Sequence, residues 1–199
     1  KVKTNNSDFA LDSGVNSDEN KSHLVLAIAG NTIADISHDV IGSGSAVALT
    51  NNNVTASTTQ SKFYGTSMYF DGDGDYIDTA AIDTDDKFCM EYWMRTDVLN
   101  ECRPFNGSDN LDGNSYVYTE LLTTGAIKCR EGNIGIITSG AGKISANTWH
   151  HIAWTYDGTT QRLFIDGVLE ASGNGSWTPP ADMKFRLGAD ESNAASGKY

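Results

Sequence analysis

The sequence contains no uninterrupted apolar run of about 18 residues, the length that a membrane-spanning helix requires. Its longest apolar stretch covers residues 24–29 and has the length of a buried strand. We therefore expect no membrane partner. Residues 1–22 also lack the apolar core of a secretory signal. Because the chain begins at Lys1 rather than Met, we expect it to be a fragment or a processed product.

Cysteine is scarce as well. The sequence has three, an odd number, and no two of them are close together in the sequence: Cys89, Cys102 and Cys129. This pattern does not indicate a disulfide framework or a zinc site. Two interpretations stay open. Either all three are reduced and mostly buried thiols, or Cys102 and Cys129 form one bridge between neighbouring strands.

Basic residues are few, since 14 Lys and Arg stand against 26 Asp and Glu and the formal net charge is −12. The basic residues show no cluster along the sequence. Phosphate backbones are bound by concentrated Lys and Arg, so we expect no nucleic acid partner. Acidity on this scale favours solubility or the binding of divalent cations.

Short β-type runs are what the sequence does contain, punctuated by Gly, Asn and Asp at intervals of about 8 to 12 residues. Helical periodicity is nearly absent, and no fixed-period repeat indicates a propeller or a solenoid. The pattern predicts one all-β domain, an antiparallel β-sandwich over residues 23–199, preceded by a polar arm or linker at 1–22. The predicted strands cover residues 24–28, 45–49, 66–70, 75–79, 87–95, 115–122, 125–130, 133–138, 149–156, 161–165, 168–171 and 183–188.

Two Asp-Gly dipeptides predict consecutive hairpins in the C-terminal half. The strand at 149–156 ends at Asp157-Gly158, and the strand at 161–165 ends at Asp166-Gly167. Asp-Gly between β-type runs is a strong hairpin signal. We therefore expect an antiparallel meander here.

Four motifs in a fixed order carry a family resemblance: the Phe70-Asp71-Gly72 turn, the 88–93 strand with Glu91, the 149–158 strand and the Ile165-Asp166-Gly167 turn. Together they resemble the laminin-G-like domains of the concanavalin A-like lectin/glucanase superfamily, over roughly residues 24 to 190. The resemblance implies a jelly-roll sandwich. Family members close with a further strand, so we expect that the closing C-terminal strand is missing and that the native polypeptide is longer.

A second resemblance concerns the Ser, Thr and Asn-rich segment at 42–77, which is similar in style to structural proteins of marine bacteriophages. It implies a tail-fibre or capsid-attached module, located in the virion and assembled in the host cytoplasm. The partners it implies are other virion subunits and further copies of the same chain.

The segment MYFDGDGDYI at 68–77 raises the question of calcium. Asp71, Asp73 and Asp75 match loop positions 1, 3 and 5 of a helix-loop-helix calcium site, but Tyr76 and Ile82 occupy positions 6 and 12. A tight turn between strands is the better interpretation. The family resemblance implies calcium at the sandwich rim, and the candidate ligands are Asp35, Asp71, Asp73, Asp75 and Asp190.

Carbohydrate binding needs an exposed aromatic ring and polar groups in loops of a rigid sandwich. Trp177 lies in a Gly- and Pro-rich loop, and an alternative interpretation with equal weight places it over a core edge. Tyr116 and Tyr118 follow an Asn/Asp/Gly-rich loop that contains Asn110 and Asp112. These five residues are the predicted ligand-binding set.

Catalysis is not expected, because retaining glycoside hydrolysis needs a nucleophile and a general acid about 5 to 5.5 Å apart. Each glutamate in a candidate strand lacks an acidic partner on the same strand face, and His150 and His151, being consecutive, point to opposite faces. The sequence thus predicts a non-catalytic recognition or attachment domain of a phage virion protein that binds host-surface carbohydrate. The alternatives are a purely structural capsid-decoration or fibre module and, third, a glycoside hydrolase-like enzyme.

Overall fold

The computed structural model describes residues 28, 47–63, 65–82, 84, 86–109, 117–132, 135–175 and 182–189. All regular elements in these ranges are strands, and no helix in them has the length and apolarity needed to cross a membrane. The predicted arm at 1–22 lies outside the described residues. The strands are β1 (Leu49–Asn52), β2 (Thr55–Ser57), β3 (Ser67–Tyr69), β4 (Tyr76–Thr79), β5 (Phe88–Met94), β6 (Cys102–Ser108), β7 (Val117–Leu121), β8 (Ile127–Glu131), β9 (Gly135–Thr138), β10 (His150–Tyr156), β11 (Thr160–Ile165), β12 (Val168–Asn174) and β13 (Lys184–Leu187).

The strands form two main sheets in which every pairing is antiparallel. The larger sheet has the order β1-β4-β13-β6-β7-β8-β9, and the smaller has the order β12-β11-β10-β5. A short β2-β3 hairpin completes the described strands. The predicted all-β antiparallel sandwich is confirmed.

The core lies between the two sheets and is filled by alternate residues of their inner faces. Ile152, Trp154 and Leu163 of the smaller sheet are fully buried, as are Leu121 and Ile127 of the larger one. Complete burial of such side chains stabilises the fold by about 1.5 to 3 kcal/mol each. The inner faces therefore supply the main driving force for packing one sheet on the other.

A partly buried hydrogen bond also joins the two sheets. The Tyr92 hydroxyl on β5 lies 2.8 Å from the Thr119 hydroxyl on β7. Burial strongly raises the pKa of the Tyr92 phenol, and the bond to Thr119 opposes that rise in part. The phenol therefore stays neutral across the physiological range and links the sheets as an uncharged group.

The predicted meander is confirmed by the pairings of β10 with β11 and of β11 with β12. In the turn between β11 and β12, Asp166 and Gly167 have φ angles of 51° and 81°. Positive φ at both central residues defines the turn that matches the twist of a hairpin. The Asp-Gly signal thus fixes both the position and the geometry of this turn.

Strand β6 was not predicted, although it lies in the middle of the larger sheet between β13 and β7. Its sequence contains Pro104 and Gly107, which are ordinarily strand breakers. The register shift between Cys102 and Phe105 accommodates the proline. A Cβ on Gly107 would lie 2.7 Å from the Phe185 ring, so glycine is needed there for close packing.

The N-terminal strand predictions were less accurate. Strand β1 (Leu49–Asn52) begins near the end of the predicted 45–49 strand, and β2 (Thr55–Ser57) was not predicted. The strand predicted at 24–28 lies outside the described residues except for Ile28. These polar segments show little alternation of apolar and polar residues, which is the pattern that predicts a strand.

Of the two interpretations left open for the cysteines, the structure supports three free thiols and excludes the bridge between Cys102 and Cys129. Cys102 lies on β6 and Cys129 on β8, and β7 runs between them. Two strand spacings amount to about 9.5 Å, whereas bridged cysteines have Cα atoms within about 7 Å. All three cysteines are free thiols; Cys102 and Cys129 are buried and Cys89 is exposed.

Candidate functional site

The outer face of the smaller sheet carries an unusual set of side chains. On β5, Cys89, Glu91 and Trp93 point away from the core and are exposed. On β10, the register places His151 opposite Trp93 and Ala153 opposite Glu91. On its other side, Ala153 is paired with Phe164 of β11.

Trp93 is the centre of an exposed aromatic cluster. Its side chain is 37% exposed, and Phe63 from the loop between β2 and β3 is 42% exposed. The two rings meet edge to face at a centroid distance of 5.6 Å, and the His151 ring lies 5.1 Å from Trp93 on another side. The Lys62 ammonium lies 4.1 Å from the centroid of the Trp93 ring. We call this set the Trp93 surface: Lys62, Phe63, Glu91, Trp93, His151 and Ala153.

Polar groups at the Trp93 surface face solvent. Glu91 Oε2 lies 3.5 Å from His151 Nε2, and the Glu91 side chain is 64% exposed. Such an exposed pair contributes little to stability. The Glu91 carboxylate therefore retains lone pairs that can accept hydrogen bonds from a ligand hydroxyl.

The Trp93 surface does not have the arrangement of a hydrolytic site. The neighbours of Glu91 on the same face are Cys89 and Trp93 along β5 and Ala153 across the strand pair, and none is acidic. Carboxyl-dependent glycoside hydrolysis needs a second carboxyl group within about 5 to 9.5 Å. What the arrangement offers is an aromatic platform next to a hydrogen-bond acceptor.

His150 points to the opposite face from His151, as predicted from their consecutive positions. It is 8% exposed, and its Nδ1 lies 2.7 Å from Asp166 Oδ2. On the other side of the ring, the Ser145 backbone N–H donates to His150 Nε2 at 3.1 Å, and Ser145 Oγ lies 3.1 Å from the same nitrogen. The connectivity Ser145–His150–Asp166 is that of a nucleophile, base and acid.

This resemblance to a catalytic triad is superficial. A general base must use its Nε2 lone pair to accept the hydroxyl proton, but in this chain the lone pair accepts the backbone N–H of Ser145. Nδ1 then carries the proton and donates to Asp166. The three residues hold the 141–149 loop and the Asp166 turn against β10, so their role is structural.

Asp166 gives this structural link a pH dependence. Burial raises the pKa of its carboxyl, but hydrogen bonds from the His151 amide and the His150 ring outweigh burial and hold the pKa below its usual value. A carboxyl whose pKa is lowered by folding stabilises the fold above its unfolded pKa of about 3.9 and loses that contribution as pH falls through the folded value. The contribution is on the order of 1 kcal/mol or less, since the side chain is half exposed.

We expect the free energy of unfolding to fall between about pH 5 and pH 2, with a smaller fall in Asp166→Asn. Urea titrations at several pH values measure this. Asp97→Asn, which changes an exposed carboxyl of the loop between β5 and β6, serves as the control and should keep the wild-type pH dependence. Parallel pH profiles for wild type and Asp166→Asn would contradict the role assigned to Asp166.

Of the predicted ligand-binding residues, only Tyr118 lies in the described part of the chain. It is on β7 and is 4% exposed, because the Arg103 guanidinium lies 4.2 Å from its ring centroid. Arg130 Nη1 lies 3.5 Å from the Tyr118 hydroxyl. The other four lie outside the described residues and stay predictions: Asn110, Asp112, Tyr116 and Trp177.

The acidic segment at 71–75 forms a turn whose carboxylates bond to the backbone. The Asp71 N–H donates to Asp75 Oδ2 at 2.7 Å, and the Asp73 N–H donates to Asp71 Oδ1 at 2.8 Å. Gly72 and Gly74 supply positive φ angles of 85° and 83°. Within the described ranges, no three Asp, Glu, His or Cys side chains come together as a metal site. Asp35 and Asp190 lie outside those ranges, so the calcium prediction remains a prediction.

The Trp93 surface was missed by sequence reasoning, although a signal for it exists. Alternation in residues 88–95 puts Trp93 and Glu91 on the face opposite to Phe88, Met90 and Tyr92. Both faces carry bulky groups, so the pattern alone does not say which face is buried. The contact with Phe63, from a loop far away in sequence, could not be read from β5.

Comparison with known proteins identifies the family. Residues 70–198 match the family model Laminin_G_3, described as the concanavalin A-like lectin/glucanases superfamily. No curated protein matches the chain.

Two solved structures share the fold at low sequence identity. One is domain 4 of AbnA, a GH43 extracellular arabinanase from Geobacillus stearothermophilus, in complex with arabinotriose; it has 16% identity and a TM-score of 0.54, with 75% of this chain and 76% of that chain covered. The other is the botulinum neurotoxin serotype D binding domain, with 15% identity and a TM-score of 0.57, covering 75% of this chain and 40% of that chain.

Proposed function

The chain belongs to the laminin G-like family of the concanavalin A-like lectin/glucanases superfamily, and on this premise we propose that it is a non-catalytic carbohydrate-binding domain. The proposed ligand is an oligosaccharide, and the proposed site is the Trp93 surface. A fold of this kind hosts several functions, so the argument rests on the site.

The observation that carries the proposal is the exposure of two aromatic rings in contact, Trp93 and Phe63. Single exposed apolar side chains are normal, but clustered aromatic rings beside polar groups are typical of binding sites. An indole ring presents a flat, rigid surface on which the C–H face of a sugar can stack. Glu91 and His151 beside the indole are placed to bond to hydroxyl groups.

Lys62 is part of how such a site would work. Its ammonium lies 4.1 Å from the centroid of the Trp93 ring. An exposed cation–π contact contributes about 0.5 to 1 kcal/mol, which is small enough for a bound sugar to displace it. Lys62 therefore covers the platform when it is empty and gives way when it is filled.

Among the described residues, none of the neighbours of Glu91 on the same face is acidic, which supports binding without catalysis. The fold relatives support an oligosaccharide as the first probe, since the arabinanase domain was solved in complex with arabinotriose. At 16% identity, that likeness does not extend to the sugar itself.

We place this domain in a phage virion protein, where it would attach the particle to a glycan on the host surface. The support for this setting is the sequence style of residues 42–77. Calcium at the sandwich rim is a further part of the proposal, and its support is the resemblance to laminin-G-like domains rather than the 71–75 turn, whose carboxylates bond to the backbone.

A glycan-array assay on the purified domain, run with calcium and with chelator, tests the proposal. We expect saturable binding to a subset of glycans. Binding lost in chelator would support the calcium site, whereas binding unchanged in chelator would refute it and leave the Trp93 surface in place. Absence of binding to any glycan under both conditions would overturn the carbohydrate proposal in favour of a structural module.

A further inference from the structure

The apolar side chains on the outer face of the smaller sheet continue beyond Trp93. The register pairs Ala153 of β10 with Glu91 of β5 on one side and with Phe164 of β11 on the other. Phe164 is paired in turn with Leu169 of β12. Side chains paired in this way lie next to one another on one face of a sheet. We call the apolar part of this row the Leu169 stripe: Ala153, Phe164 and Leu169.

The Leu169 stripe faces away from the core. On β11, Leu163 and Ile165 are buried between the sheets, whereas Phe164 between them points outward and is only partly buried. Leu169 is 52% exposed. A single exposed apolar side chain is ordinary, but three in one row, beside the aromatic rings of the Trp93 surface, form a continuous apolar patch.

Polar groups border the stripe on both sides. One neighbouring row consists of Thr155, Arg162 and Ser172, which are paired across β10, β11 and β12. On the other side lie His151 and the turn at Asp166, whose N–H donates to the His151 carbonyl oxygen. Successive rows on one face of a sheet are about 7 Å apart. The stripe is therefore one side chain wide.

The dimensions of the stripe decide what it can bind. From Glu91 on β5 to Leu169 on β12, the row crosses three strand spacings, about 14 Å. A stable protein interface buries about 800 Å² on each partner, whereas even a fully buried aromatic side chain accounts for only about 150 to 250 Å². Three partly exposed side chains are too few for a protein partner. A single extended hydrocarbon chain matches the width of one row.

We propose that the Trp93 surface and the Leu169 stripe together bind a sugar that carries an alkyl or acyl chain. The sugar stacks on Trp93, and the chain runs along Ala153 and Phe164 to Leu169. Glu91, at the β5 end of the row, accepts hydrogen bonds from the sugar hydroxyls and so sets the direction of the ligand. This inference rests on the proposed carbohydrate function and adds the chemical class of the ligand.

An unsubstituted polysaccharide fits the stripe less well than an aliphatic chain. Its hydroxyl groups need hydrogen-bond partners along the whole contact, and the side chains of alanine, phenylalanine and leucine supply no donor or acceptor. An aliphatic chain gains from the same contact, because each methylene group that leaves water favours binding.

Isothermal titration with octyl and methyl glycosides of glucose and of galactose tests the proposal, at concentrations below those at which the octyl glycosides form micelles. We expect the octyl form of at least one sugar to bind about tenfold or more tightly than its methyl form, which is the gain from complete burial of about two methylene groups. Leu169→Ser should reduce this ratio about fivefold or more and leave binding of the methyl glycoside unchanged.

Val168→Ser is the matched control. Val168 is also exposed, but it is paired with Ile165 and lies outside the row. This variant should keep the wild-type ratio. Both substitutions replace exposed side chains, so we expect both variants to fold, which thermal melting verifies.

Two further probes separate the sources of such a chain. Octanoylated dextran presents the chain on a soluble polysaccharide, whereas an octyl glycoside presents it on a lipid-like monomer. Binding of the octyl glycosides alone would support a glycolipid as the ligand, and binding of both probes would support acylated polysaccharides as well. Octanoate has the chain without a sugar and should bind about tenfold or more weakly than the octyl glycosides.

Three outcomes would overturn the proposal. The first is that neither octyl glycoside binds more tightly than its methyl form, and the second is an equal fall of the ratio in Leu169→Ser and Val168→Ser. The third is that octanoate binds as tightly as the octyl glycosides, since the chain would then bind without the sugar. Glycan binding on the array without an octyl preference would refute only the stripe, whereas failure of both the array and the octyl glycosides would refute the carbohydrate function too.

Discussion

Trp93→Ala is expected to weaken oligosaccharide binding by about tenfold or more. The indole is the ring at the centre of the Trp93 surface, and a tenfold loss equals about 1.4 kcal/mol, within the range that truncation of an aromatic anchor costs. The same change should leave the fold almost intact, because the side chain lies on the outer face and is 37% exposed. Isothermal titration with the best glycan from the array measures the loss, and thermal melting verifies the fold.

Lys62→Ala is the matched variant for that experiment. It removes the cation that covers the Trp93 ring while the ring stays in place. If ligands displace Lys62, this variant should bind as tightly as wild type or up to about fivefold tighter, in line with a contact of 0.5 to 1 kcal/mol. Equal losses in Trp93→Ala and Lys62→Ala would instead show that the lysine itself contacts the ligand.

Gly188→Ala is expected to destabilise the domain by about 2 to 5 kcal/mol, a large share of its total stability. Gly188 follows β13 with a φ of 92°, in the region that L residues with a Cβ rarely adopt. A Cβ at this position would also collide with the Phe70 ring and lie 3.2 Å from the Asp75 carbonyl oxygen. Urea denaturation monitored by tryptophan fluorescence measures the loss.

Gly74→Ala separates the two causes. Gly74 has a similar φ of 83°, but nothing lies within 4 Å of the Cβ that alanine would add. This variant should lose only the backbone contribution, about 1 to 2 kcal/mol. If both variants lose the same free energy, the collision with Phe70 is relieved by movement of the ring and the packing argument fails.

The C-terminal half of the fold could be predicted because local signals agree there. Asp166-Gly167 requires a tight hairpin, and the alternation in residues 150–156 matches the buried and exposed positions observed on β10. By contrast, Pro104 and Gly107 made β6 hard to predict, because both residues ordinarily interrupt strands. Here a bulge against β7 accommodates Pro104, and close packing with the Phe185 ring requires Gly107. No local pattern can report such long-range packing.

The candidate sites were less predictable than the fold. An aromatic residue in a loop, such as Trp177, is readily predicted to be exposed, whereas a tryptophan within a strand is normally assigned to the core. Trp93 is exposed because it lies on the outer face of β5, and its partner Phe63 is 30 residues away in the sequence.

The distribution of thiols provides a route to observing ligand binding directly. Cys102 and Cys129 are buried, whereas Cys89 is exposed on the same face as Trp93, about 13 Å along β5. Although Cys89 is exposed, partial desolvation of its thiol and the neighbouring Glu91 raise the pKa of that thiol, so alkylation would be slow at neutral pH and faster in mild base. A single fluorophore attached to Cys89 would report occupancy of the Trp93 surface without any engineered residue.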